Sequence, residues 1–161
     1  MKIAENTVTT ELIRELGLFE GLDDQRLQAL ASLFTAVDIA SGAEFIRDGE
    51  SADYLYVLLE GRVAISVSIP GRAAYETVVS TLSKGQLVGW SALLPETDWQ
   101  ATVSALKPCR LIRARAESIR QLCEQDPVIG YCLMKNALVV VGQRLSESRL
   151  QLLDIFGGRD G

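Results

Sequence analysis

The segment 84–105, KGQLVGWSALLPETDWQATVSA, gathers the residue types best suited to holding a small anion on backbone groups. Gly85 and Gly89 bracket the apolar pair Leu87 and Val88, and Ser91-Ala92-Leu93-Leu94 runs on until Pro95 checks it. Ser91 is placed to cap that short helical segment, where unpaired N–H groups collect and favour negative charge. Glycine and serine serve ordinary turns equally well, so the spacing alone leaves both readings open.

Catalytic chemistry is poorly supplied. The chain has no histidine, which removes the usual general base, the Ser-His and Cys-His nucleophile pairs and the imidazole metal ligands. The carboxylates Asp23-Asp24 stand at a helix start, where acidic residues favour the dipole without any catalytic duty. Cys109, Cys123 and Cys132 are odd in number and lack C-x-x-C spacing, so they read as reduced, buried thiols. The expectation is a non-enzymatic protein with no bound zinc or iron.

Partners and compartment are bounded by composition. A net charge of -5 argues against a nucleic-acid surface, which needs clustered Lys and Arg. The N-terminal MKIAENTVTTELIREL has no continuous apolar run, and no stretch reaches the ~18 apolar residues of a spanning helix. No membrane association is expected, and the location expected is cytoplasmic.

The elements that must position segment 84–105 follow from periodicity. With 161 residues, 48% of them hydrophobic, one domain with a proper core is expected. Leu12, Ile13 and Leu16 share a helical face that Gly17 ends; Asp23 caps a second helix carrying Leu27, Leu30, Ala31 and Phe34. From Thr35 the period becomes two. The runs VDIA, EFI, YLYVLLE, RVAISVSI, ETVVSTL, QLVGW, ATVSAL and CRLIRA are separated by Ser41-Gly42, Asp48-Gly49, Glu60-Gly61, Pro70-Gly71, Lys84-Gly85 and Lys107-Pro108. Seven or eight short strands at this spacing predict a sandwich or jelly-roll barrel. In RVAISVSI, Val63, Ile65, Val67 and Ile69 are expected to face inward and Ala64, Ser66 and Ser68 to face water.

Helical period returns at Glu117–Gln125, and Asp126-Pro127 opens a long helix running to about Phe156. Within it Tyr131, Met134, Leu138, Val141, Leu145, Ser148, Leu152 and Ile155 alternate steps of three and four, a heptad seam. Leu133, Ala137, Val140 and nearby Val139 add a second apolar area. One face against the barrel and one against a second copy would use both, so a homodimer through Leu138, Val141, Leu145 and Leu152 is expected.

The order of elements, with IRDGESADYLYVLLEGRVAISV at the second and third turns, resembles the cyclic-nucleotide-binding domain of the catabolite activator protein and kinase regulatory subunits. Gly49, Tyr56, Leu58, Gly61 and Val63 sit where that family's pattern has glycines and apolar strand positions. The resemblance runs from Leu18 to Ile155 and implies a mainly β fold: an eight-stranded jelly-roll (double-stranded β-helix) barrel with N-terminal helices and a long C-terminal helix. It divides the chain into an N-terminal segment 1–17, a domain 18–156 with its roll at about 35–116 and C-terminal helices at 117–156, and a disordered tail 157–161.

The same resemblance places the ligand site and shows where this chain departs from it. The family's phosphate-binding cassette has a glutamate for the ribose hydroxyl after its glycine, and about ten residues later an arginine for the cyclic phosphate. Here Gly89 keeps the glycine, Trp90 stands at the glutamate and Trp99-Gln100-Ala101 at the arginine triplet. The implied ligand-binding set is Gly89, Trp90, Ser91, Ala92, Trp99, Gln100 and Ala101. Losing one partner of a buried charge-assisted pair costs about 2–5 kcal/mol, roughly 30- to several-thousand-fold in affinity. An indole has one N–H donor and no charge, so the two tryptophans can fill the pocket or stack on a flatter ligand. An inward-turned Arg62, Arg72, Arg110 or Arg113 would restore the missing charge.

No cofactor is expected beyond a weakly held cyclic nucleotide or other small anionic ligand. The family's transcription factors continue into a helix-turn-helix, and with five residues after Phe156 none is expected here. The reading is a regulatory or sensor module with weakened or altered nucleotide binding that acts through an unknown protein partner. The alternative is a ligand-free dimeric scaffold that kept the fold and lost the site; a cupin-type enzyme is disfavoured by the missing histidines.

Overall fold

A computed structural model describes the backbone at residues 2–3, 8–68 and 76–157, and side chains over 8–68 and 78–154. Two helices come first. In α1 (Thr10–Glu15), Thr9 Oγ1 accepts the Leu12 N–H at 3.2 Å, and Gly17, at φ +67°, follows the C-cap Leu16. In α2 (Asp24–Leu33), Asp23 Oδ1 accepts the Arg26 N–H at 2.9 Å. Leu27, Leu30 and Ala31 bury the inward face of α2.

All eight expected strands form, and a two-residue β1 (Lys2–Ile3) precedes them. The eight are β2 (Thr35–Ile39), β3 (Glu44–Ile46), β4 (Tyr54–Glu60), β5 (Val63–Ser68), β6 (Glu76–Leu82), β7 (Leu87–Val88), β8 (Thr102–Ala105) and β9 (Cys109–Arg115). They pair antiparallel into two sheets ordered β1-β2-β9-β4-β7 and β3-β8-β5-β6. The jelly-roll order follows from these crossovers: β4 runs beside β9 with Leu58 opposite Leu111, and β5 beside β8 with Ile65 opposite Val103. Leu55, Val57, Leu58, Val63, Leu87, Leu111 and Ile112 are fully enclosed between the sheets and helices.

One turn depends on glycine. Gly61, between β4 and β5, has φ +105°, and a Cβ there would lie 2.4 Å from Cys109 Sγ and 2.8 Å from the Pro108 carbonyl. No side chain fits, so the β4–β5 turn closes directly onto the start of β9.

The expected alternation of β5 is corrected. Val63 and Ile65 are buried as anticipated, yet Ala64 and Ser66 are buried too, and the pairing with β6 shifts between Ile65 and Ser66. β5 is interior to its sheet, so small side chains are overhung by those of β6 and β8 on either side. Ile69 and the Pro70-Gly71 turn lie outside the described residues.

The helices after the roll are α3 (Ala116–Gln125) and α4 (Pro127–Gly157). Asp126 opens α4 as expected, accepting the Val128 N–H at 3.1 Å, while its other oxygen lies 2.8 Å from Arg26 Nε. Ile129, Cys132, Leu133, Ala137 and Val140 turn inward; burying a side chain such as Leu133 contributes about 1.5–3 kcal/mol. Asn136 donates to the Leu18 carbonyl and ties α4 to the segment between α1 and α2. The seam residues Leu138, Leu145 and Leu152 are exposed, and Val141 is half-buried. Ile155 and the tail after Gly157 fall outside the described side chains. Among the described residues no helix is long and apolar enough to cross a membrane.

Candidate functional site

A cavity of about 190 Å³ opens between the second sheet, the segment 89–101 and the distal half of α4. Its floor is apolar, made by Ile46, Ile65, Val67, Val79 and Val103. Gly89, Trp90, Ser91, Trp99, Gln100 and Ala101, six of the seven residues assigned to a ligand site, line it together. Ala92 does not: it is fully buried behind the wall, and its carbonyl accepts from Arg120 Nη1 at 2.8 Å.

The wall is built by backbone geometry. Gly89, at φ +80° and ψ +49°, is the N-cap of a 3-10 turn, Trp90–Leu93, and no side chain caps it. This corrects the expectation that Ser91 is the cap: Ser91 lies inside the turn and is buried. The left-handed glycine already reverses the chain, so the turn starts two residues earlier than a serine cap would set it. The Ala92 N–H is also spent within the turn, donating to the Gly89 carbonyl at 3.1 Å.

Trp99 is held by the loop after β3. Its N–H donates to the Glu50 carbonyl at 2.8 Å and its carbonyl accepts from the Gly49 N–H at 2.9 Å. This clamp lays the indole over Gly89, where an added Cβ would stand 2.7 Å from the ring carbons Cη2 and Cζ3. Trp99 is 7% exposed, whereas Trp90 is half-buried at the cavity edge. The ring of Trp99 therefore lies beside the glycine, in the place the resemblance gives to the phosphate contact.

The candidate compensating arginines do not line the cavity. Arg62 is exposed at the start of β5, Arg110 Nε donates to Asp38 Oδ1 at 3.0 Å, and Arg113 lies over the Tyr54 ring, 4.3 Å from its centroid. Arg72 falls outside the described residues. The charged residues that do line it are Arg144 and Glu147, both on α4. The Glu147 carboxylate accepts from Ser80 Oγ at 2.9 Å, and a turn further on Gln151 Nε2 donates to the Val79 carbonyl at 3.1 Å, so α4 is latched to β6 along the rim. Arg144 Nε and Nη2 are buried without a hydrogen-bond partner among the described residues. Burial pulls the Arg144 guanidinium below its usual pKa, with Glu147 pulling the other way.

Sequence reasoning missed these two residues, although a signal for Arg144 existed. Leu133, Ala137, Val140 and Arg144 lie at steps of four, three and four, so an arginine stands on the core-facing stripe of α4. The three cysteines are free, and no group of three or more His, Cys, Asp or Glu placed to hold a metal ion occurs among the described residues.

The model of the cyclic nucleotide-binding domain family matches residues 36–126, more than half of the chain. The chain belongs to the cyclic nucleotide-binding domain family. It is 24% identical over 122 residues to a cAMP-dependent protein kinase regulatory subunit of Dictyostelium discoideum, covering 75% of this chain and 37% of that protein. It is 22% identical over 147 residues to a CRP-like cAMP-activated global transcriptional regulator of Mycobacterium tuberculosis, covering 91% of this chain and 62% of the regulator. It thus spans less than two thirds of either relative's length. Among solved structures, a candidate cyclic nucleotide-binding protein of Geobacter metallireducens superposes with a TM-score of 0.75 at 25% identity, over 86% of this chain and 98% of the other.

Proposed function

We propose that this protein is a non-enzymatic regulatory module, centred on residues 18–156, that senses a small ligand with altered or weakened nucleotide recognition and acts through a protein partner. The observation that carries this reading is the wall of the cavity: the two cassette positions hold Trp90 and Trp99, and the charges lining it come from α4. The volume agrees, since about 190 Å³ falls below the ~300–1,000 Å³ typical of drug-sized ligands. The ligand-free scaffold is less well supported, because the indoles leave that space unfilled.

The same residues would carry a route from ligand to partner. Arg120 of α3 donates to the carbonyls of Ala92 at 2.8 Å and Leu94 at 3.4 Å, so the 3-10 turn hangs from the helix that precedes α4. A shift of the turn would reach α4, whose outer seam is exposed and self-complementary in spacing. We assign that seam to a second copy of the chain, and the protein's work to the cytoplasm.

Titration calorimetry at modest salt tests the reading. Cyclic AMP and cyclic GMP are expected to bind in the high micromolar range or not at all. Submicromolar binding of either would overturn the account of the remodelled wall.

A further inference from the structure

The inward stripe of α4 is apolar through Leu133, Ala137 and Val140 and then changes character over the cavity. At the next position stands Arg144, which lines the cavity with Nε and Nη2 buried and unpartnered among the described residues. Its neighbour Glu147 is turned to Ser80 on β6. A guanidinium keeps its charge at any ordinary pH, and burying it without hydrogen-bond acceptors is unfavourable. Acceptors on a molecule that enters the cavity would relieve that cost.

The rest of the lining restricts what that is. The floor is five aliphatic side chains, two indoles form the wall, and the volume admits little more than one ring system and its substituent. A single guanidinium presents a planar fork that fits a carboxylate through two parallel hydrogen bonds. Glu147 lines the same space, so a dianion would meet more repulsion than a monoanion. We propose that Arg144 is the anion-binding residue of this cavity, and that its ligand is a small planar carboxylate with its ring against Trp90 and Trp99. The cationic contact has thereby moved from the roll to the helix that covers it. This assignment rests on the sensing reading above and narrows it to a chemical class.

The test uses the full chain and its own reporters, since Trp90 and Trp99 are its two tryptophans and both line the cavity. Fluorescence titrations are run with indole-3-carboxylate, benzoate and inorganic phosphate, on wild type, Arg144→Gln and Arg144→Met. A saturable response to a carboxylate probe is expected, weakened at least tenfold in Arg144→Gln, with phosphate inert. Thermal unfolding without added probe should place Arg144→Met above wild type, because a buried unpaired charge has been replaced by an apolar chain of similar length. A lower midpoint for Arg144→Met would make the arginine structural and overturn the proposal. Saturable binding unchanged in Arg144→Gln would place the anion elsewhere and leave the sensing reading standing. Phosphate binding as well as the carboxylates would overturn the planar class. No response to any probe overturns the assignment outright, and the sensing reading is then judged separately by native mass spectrometry of the purified protein for a bound molecule.

Discussion

Replacing Gly89 with alanine isolates the contact that closes the cassette. Two costs act there. The residue sits at φ +80°, where a side chain costs about 1–2 kcal/mol. The new methyl would also stand 2.7 Å from Cη2 and Cζ3 of Trp99, a ring held on both sides by backbone hydrogen bonds to Gly49 and Glu50. Overpacking of that kind costs about 1–3 kcal/mol. Gly49→Ala supplies the control, because Gly49 has the same φ of +80° and nothing within 4 Å of an added Cβ. At about 2–4 °C per kcal/mol for a domain of this size, Gly49→Ala should lower the thermal midpoint by roughly 2–8 °C and Gly89→Ala by roughly 4–20 °C. Adding Trp99→Leu to Gly89→Ala removes the clash, so the double variant should lose less stability than the two single changes summed, by about 1–3 kcal/mol. Differential scanning calorimetry on wild type, the three single variants and the double variant reads all of this. Equal shifts for the two alanine variants would show that the indole does not press on the turn, and the account of Trp99 packed against the cassette glycine would fail.

Two further outcomes are expected. Leu145 is 52% exposed on the single chain, so Leu145→Asp should keep native circular dichroism while converting a micromolar dimer to monomer in sedimentation velocity; a monomeric wild type defeats the seam. Asp23 is held below its usual 3.8, first of all by the Arg26 N–H, so its contribution is complete above the unfolded pKa and is lost as the pH falls through the folded value. Asp23→Asn should therefore flatten the acid limb of a stability–pH profile measured by urea unfolding, and an unchanged limb would refute the cap's role.

Local rules carried most of the fold, for reasons visible in particular residues. Asp23, Asp126 and Gly17 terminate helices by their own side chain or backbone preference, so neighbours in sequence were enough to place them. The strands were legible because the turn signals between them are local too. What failed depended on neighbours distant in sequence. Ala64 and Ser66 are covered by β6 and β8, which no periodicity within β5 records. Gly89 displaced Ser91 as the cap because its left-handed backbone suits the approach of Trp99, ten residues away. Arg144 was overlooked for the same reason: compensating charge was sought on the strands beside the cassette, while the arginine that lines the cavity stands on a helix more than forty residues further on.

That placement would give α4 two jobs on adjacent residues. Arg144 lines the cavity and Leu145 faces outward on the exposed seam. The helix is latched to β6 by Glu147 with Ser80 and by Gln151 with the Val79 carbonyl, both within two turns of Arg144. On the proposed assignment, an anion that pairs with Arg144 would strengthen the hold of the roll on this half of α4, and would so change how readily the seam meets a second copy. Coupling of this kind is reciprocal by thermodynamic necessity: whatever assembly does to ligand affinity, the ligand does to assembly by the same factor. A cassette that binds through the roll alone must pass its signal through the 3-10 turn and Arg120 before it reaches α4. Here the proposed ligand contact and the proposed output surface share one helix, so no intermediate step would be needed.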